Sequence, residues 1–118
     1  MTTTLKLTDL TGYTGSTSYM TWWIAGLRLT DGVQHLARNG AAWLIDAIAS
    51  HQPDARRRIG SFQVWWLRVE GGSAVLEAAG DAPPAEVKIR QEIEYTDFPA
   101  PGIKLYVDGG VVMLPSEY

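Results

Sequence analysis

The chain has 118 residues, too few for two independent cores, and its 46% hydrophobic and 19% charged residues are those of a folding chain, so a single packed domain is expected. A net charge of −3 and a pI near 5.2 argue against a direct nucleic-acid partner. Arg56, Arg57 and Arg58 form the only dense cationic run, while the acidic residues are too scattered for a DNA mimic. The lack of cysteine excludes disulfides, thiolate metal sites and cysteine nucleophiles.

The start of the chain lacks the apolar core of a signal peptide, and no apolar run approaches the roughly 20 residues that span a bilayer, so a soluble cytoplasmic protein without a membrane partner is expected. Leu5, Leu7 and Leu10 are early apolar anchors, and Thr11 to Ser18 reads as a loop. Its Gly12-x-x-Gly15 lacks the Lys-Ser/Thr ending of a phosphate loop, so a turn is the better reading. Tyr19 to Ile24 is a compact aromatic cluster that suits a short helix or a short strand. In either, Trp22 and Trp23 diverge, which leaves one of them near the surface.

Helical periodicity begins at Thr30, whose hydroxyl is placed to cap the first turn, with Asp31 next to the positive end of the dipole. Val33, Leu36 and Ala37 follow at helical spacing. Asn39-Gly40 then supplies a left-handed residue, and a second helix restarts with Ala41, Leu44, Ile45 and Ile48 on one stripe until Pro53 stops it. Residues 53–60 read as a charged connection. The two helices are expected to pack as a bent pair over a sheet.

From Phe62 the period changes to two. Phe62 to Val69 is apolar on both parities, as in a central strand covered on both faces. Gly71-Gly72 turns into a strand from Ala74 to Ala79, and Asp81 to Pro84 reads as a loop. Val87, Ile89, Ile93 and Tyr95 alternate with Lys88, Arg90, Glu92 and Glu94 in a one-sided strand, with Gln91 the one polar residue on its inward parity. Thr96 to Gly102 is a proline-framed loop. Ile103, Leu105 and Val107 then turn through Asp108-Gly109-Gly110 into Val111 to Leu114. The resulting expectation is an α+β fold: a four- to five-stranded antiparallel sheet with a helix pair packed on one face.

Candidate chemistry is sparse. Asp31 and His35 lie four apart on a helix, where an ion pair explains them better than a two-ligand metal site, so no metal and no cofactor is expected. Ser50, His51 and Asp97 do not form a hydrolytic trio, because no nucleophile elbow precedes Ser50. His51 and Gln52 instead suit the carbonyls at the end of the second helix. Five Trp in 118 residues is heavy usage, and Trp favours interface anchors, with Trp43 assigned to the core. Trp22, Trp23, Trp65, Trp66, Asp97, Phe98 and Tyr118 are therefore the candidate binding residues. Asp31, His51, Tyr95 and Asp97 form an alternative polar site between the helix pair and the 96–102 loop.

The order of motifs also carries a resemblance. Thr30-Asp31-Gly32-Val33, the run Trp43 to Gln52, Phe62-Gln63-Val64-Trp65, Tyr95 to Pro99 and the ending Leu114 to Tyr118 together resemble a family of small uncharacterised proteins scattered through bacteria, phages and other mobile elements. The resemblance covers most of the chain from Leu10 onward. It implies an accessory gene of a phage or mobile element and transfers no activity, cofactor or binding residues. The expected function is a non-enzymatic interaction protein binding a host or self protein stoichiometrically, as a homodimer in the self case, with a host defence component among the targets. The competing expectation is a small enzyme or ligand-binding domain using the polar site.

Overall fold

The computed structural model describes residues 6–16, 18–81 and 86–118. Leu5 and most of the expected 81–84 loop lie outside the described residues. Seven strands form one mixed sheet: β1 (Met20–Thr21), β2 (Arg28–Leu29), β3 (Phe62–Glu70), β4 (Ser73–Ala79), β5 (Ile89–Ile93), β6 (Gly102–Asp108) and β7 (Val111–Met113), in the order β1-β2-β7-β6-β3-β4-β5. The helices are α1 (Asp31–Leu36), α2 (Ala42–Ser50) and α3 (Gln52–Arg58).

The α+β class holds, but the sheet is larger than the four or five antiparallel strands expected. The five long strands are the ones with a period-two pattern, joined antiparallel as β3–β4, β4–β5, β3–β6 and β6–β7. The two additional strands have two residues each, too short to show any period. β2 joins the sheet parallel to β7, pairing Arg28 with Val111 and Leu29 with Val112. Because β3 also runs parallel to β7 through β6, the helical segment is a crossover from β2 to β3 that passes over the two strands between them.

β3 is central, yet the helices cover only one of its faces. Trp65, Leu67 and Val69 are buried in one core cluster with Leu44, Ile45 and Ile48, while on the opposite parity Val64 is buried, Phe62 and Trp66 are half-buried and Arg68 is exposed. Polar pairs tie the helices to this sheet. Gln52 and Gln63, both fully buried, exchange amide hydrogen bonds at 2.9 and 3.1 Å, and the Trp65 indole donates to Gln63 Oε1 at 2.9 Å. His51 Nε2 lies 2.8 Å from Gln91 Oε1, so the inward polar residue of β5 meets the end of α2. The His51 ring therefore bonds to a strand side chain, while the expected contact with a carbonyl at the end of α2 is made by its neighbour, Gln52 Nε2 donating to Ile48 O at 3.2 Å.

Two further differences concern the helices. Residues 53–60, read as a connection, are largely α3: Pro53 falls in its first turn, where its missing N–H costs nothing, and Asp54 and the three arginines complement the dipole. Hydrogen bonds from Arg58 and Arg57 hold the Asp54 carboxyl below its ordinary value. At the other end, the Thr30 hydroxyl does not cap its own helix. It donates to Glu117 Oε1 at 2.7 Å, and the Gly32 amide donates to Glu117 Oε2 at 3.0 Å. Glu117 Oε1 also accepts from the Leu114 amide at 3.0 Å. A carboxylate from the far end of the chain thus caps α1.

Gly32 is what admits that carboxylate. A Cβ there would lie 2.5 Å from Leu114 Cδ1 and 2.7 Å from Glu117 Oε1. Glu117→Ala is expected to cost about 2 kcal/mol by stranding two amides, while the Thr30 hydroxyl keeps Val112 O, 3.3 Å away, as an acceptor. Gly32→Ala is expected to destabilise despite the roughly 1 kcal/mol by which alanine favours a helix. In urea denaturation the two changes should be non-additive by about 1 kcal/mol, since each disrupts the same contact.

Candidate functional site

The helical segment bends where Asn39 (φ −106°, ψ 31°) and Gly40 (φ 101°, ψ 0°) leave helical geometry. A non-glycine residue rarely adopts the Gly40 conformation, so the Asn-Gly pair sets where α2 restarts. The bend opens a hollow of about 490 Å³ lined by Ala37, Arg38, Gly40, Ala42, Trp43, Asp46 and, from the 96–102 loop, Asp97. A second hollow of about 560 Å³ is lined by Trp43, Gly72, Tyr95, Thr96 and Asp97. Trp43 and Asp97 line both, so the two form one groove.

Asp46 anchors one end of this groove. Its Oδ1 accepts from the Trp22 indole at 3.0 Å and from the Trp23 indole at 3.1 Å. The two tryptophans converge on one oxygen because they lie past β1, at the start of the turn through Ala25 (φ 58°) and Gly26 (φ 63°), where neither strand nor helix direction rules apply. Trp22 is half-buried, whereas Trp23 is 75% exposed with only its N–H committed. At the opposite end Tyr95 is 88% exposed. The lining holds two carboxylates, Asp46 and Asp97, and one guanidinium, Arg38, which donates to Gln34 Oε1 at 3.1 Å.

The loop that carries Asp97 is fixed by its neighbours. The Thr96 hydroxyl closes the turn by accepting from the Phe98 amide at 3.1 Å, while the Thr96 amide donates to Gly72 O at 2.9 Å. At the end of the loop, a Cβ on Gly102 (φ 114°) would fall 1.8 Å from Leu67 O, so only glycine lets the chain re-enter the sheet beside β3.

The remaining candidate residues disperse. Trp65 and Phe98 are buried and offer no contact surface, contrary to their place among the binding candidates: Trp65 packs on His51, and Phe98 fills the core edge. Trp66 is half-buried on the open sheet face, as are Phe62 and Tyr106, whose rings meet Tyr118 with centroids 5.5 and 5.3 Å away. Trp43, assigned to the core, is instead half-buried in the groove wall.

The polar site of Asp31, His51, Tyr95 and Asp97 is not assembled. Asp31 accepts from Ser18 at the start of α1, His51 faces Gln91, and of the four only Tyr95 and Asp97 line the groove. His35 packs on Tyr13, ring centroids 5.8 Å apart. Among the described residues no three His, Asp or Glu side chains are grouped to hold a metal, and no helix is long and apolar enough to cross a membrane. Arg57 and Arg58 pair with Asp54, and Arg56 donates to Ala25 O.

The fold and groove define a small α+β domain in which a kinked helical crossover covers one face of a seven-stranded mixed sheet. Residues 4–118 match the model of a family of unknown function (DUF6876), and the chain belongs to that family. No curated protein and no solved structure matches the chain.

Asp46→Ala should free both indole N–H groups and cost about 1–2 kcal/mol, chiefly through half-buried Trp22. Asp46→Asn, which keeps an acceptor, should recover most of it. Urea denaturation gives the stability, and the two indole N–H signals in a proton–nitrogen NMR spectrum should shift together.

Proposed function

We propose that this chain is a non-enzymatic interaction protein that binds a partner protein stoichiometrically through the groove between the helix bend and the 96–102 loop. The carrying observation is that Trp23 and Tyr95, 75% and 88% exposed, stand at a groove whose acid groups are Asp46 and Asp97. Exposed rigid aromatics supply contact area at low entropic cost, and together with carboxylates they favour a basic side chain over an acidic one. The two carboxylates outnumber the single guanidinium of Arg38, which reinforces that preference. The setting implied by the motif resemblance, a phage or mobile element, makes a host protein the target class, a defence component included.

A second reading rests on the same place. The 490 Å³ hollow falls within the size range of small-molecule sites, and it lies between the helix pair and the loop, where a small enzyme or ligand-binding domain would hold its substrate. Native mass spectrometry of the purified protein separates the two, since a bound metabolite favours the second.

For the leading reading, affinity capture from a host lysate with the wild-type chain should yield one protein at fixed ratio. Trp23→Ala and Tyr95→Ala should each lower its recovery about tenfold or more, the scale of an interface anchor. Equal recovery by both variants contradicts the proposal, as does turnover of a substrate that is lost on Asp97→Asn.

A further inference from the structure

The sheet ends in two edges of different character. β1 has two residues and offers little for another chain to pair with, whereas β5 is a five-residue strand that, among the described residues, has nothing beyond it in the sheet order. The sequence around β5 is Lys88-Ile89-Arg90-Gln91-Glu92-Ile93-Glu94. Ile89, Gln91 and Ile93 share the parity that pairs with Ala78, Leu76 and Ala74 beneath the helices. Arg90 and Glu92 pair with Glu77 and Val75 on the open face.

This run is antisymmetric in charge about Gln91: each cation on one side has an anion at the same distance on the other, and the isoleucines match. We propose that β5 pairs antiparallel with β5 of a second copy of this chain, about a two-fold axis through Gln91, to give one continuous fourteen-stranded sheet. That register sets Arg90 opposite Glu92 of the second copy, Lys88 opposite its Glu94 and Ile89 opposite its Ile93. Every opposed pair is complementary, and two-fold symmetry makes each occur twice.

The charges also continue a pattern already present on the open face. Glu77 lies 3.0 Å from Arg68 and 3.9 Å from Arg90, and Arg90 reaches Glu92 of its own strand at 3.0 Å. A glutamate from the second copy would extend the alternation from Glu77 through Arg90 across the new boundary. Charges that served only to block pairing would need no such order, because like charges on an edge repel a second copy better than an antisymmetric set. The axis stands perpendicular to the sheet, so both helical layers lie on the same side and the two grooves stay accessible.

Sedimentation equilibrium between about 10 μM and 1 mM chain tests this, a range suited to a single-strand interface. The wild-type chain should dimerise within it. Arg90→Glu and Glu92→Arg should each weaken the dimer about tenfold or more, since each places two like-charged pairs at the axis. Mixed in equal amounts, the two variants should form a heterodimer, because the acidic pair at positions 90 and 92 of one then faces the basic pair at those positions of the other. That restoration cannot come from the Arg90–Glu92 contact within one strand, which both variants lack. Lys88→Glu with Glu94→Lys provides a second such pair should either variant fail to give the wild-type circular dichroism spectrum. A wild-type chain that stays monomeric throughout, or variants that fail to pair on mixing, would overturn the proposal.

Discussion

The carboxylate of Glu117 is the contact on which the helical half of the molecule depends. It fixes the first turn of α1 against the last turn of the chain by three hydrogen bonds, to Thr30, Gly32 and Leu114. The start of a helix has amides without internal partners and a positive dipole end, so an anion there both satisfies donors and is attracted by the field. Because Thr30 follows directly on β2, and Leu114 on β7, the same contact closes the only parallel pair of the sheet among the described residues. The close approach leaves no room for a Cβ at position 32 unless the Leu114 and Glu117 side chains move off their hydrogen-bonded positions, which explains an otherwise unfavourable residue in a helical turn.

With α1 held at its start, the Asn39-Gly40 bend decides where α2 lies, and a small set of buried and half-buried polar groups fixes it there. The Gln52–Gln63 amide pair and the His51–Gln91 contact act at the end of α2, opposite the bend. Such pairs contribute modestly to stability but penalise a shifted register strongly, since any slip strands buried donors and acceptors. The groove is thus the space left between a bent helix fixed at both ends and a proline-framed loop. Its aromatic rim comes from the β1–β2 turn and the residues after β5, elements that the core does not require to carry Trp23 or Tyr95.

Much of the sheet was legible in the sequence. The five strands with alternating or doubly apolar pattern are present, and the helix break at Asn39-Gly40 follows from backbone sterics alone. Three features were not legible, each for a physical reason. β1 and β2 are too short for periodicity, so the parallel pairing was invisible. Pro53 reads equally well as a helix stop or as a first-turn residue, and only the arginines at the far end of α3 favour the second. The cap on α1 is supplied from 85 residues away in sequence, between Gly32 and Glu117, whereas capping rules look only at neighbours.

The candidate site was legible in composition and not in arrangement. Heavy tryptophan usage flagged interface anchors, yet the parity of β3 could not say which face the helices take, and Trp65 proves to be core. That Asp46 gathers both indoles of Trp22 and Trp23 depends on a turn with two consecutive left-handed residues. The account stands most directly on amide hydrogen exchange in the Glu117→Ala chain. It predicts that the Gly32 and Leu114 amides lose protection together, with weakened indole N–H protection at Trp22, while amides of β3 and β4 keep theirs. Unchanged protection at Gly32 and Leu114 would contradict it.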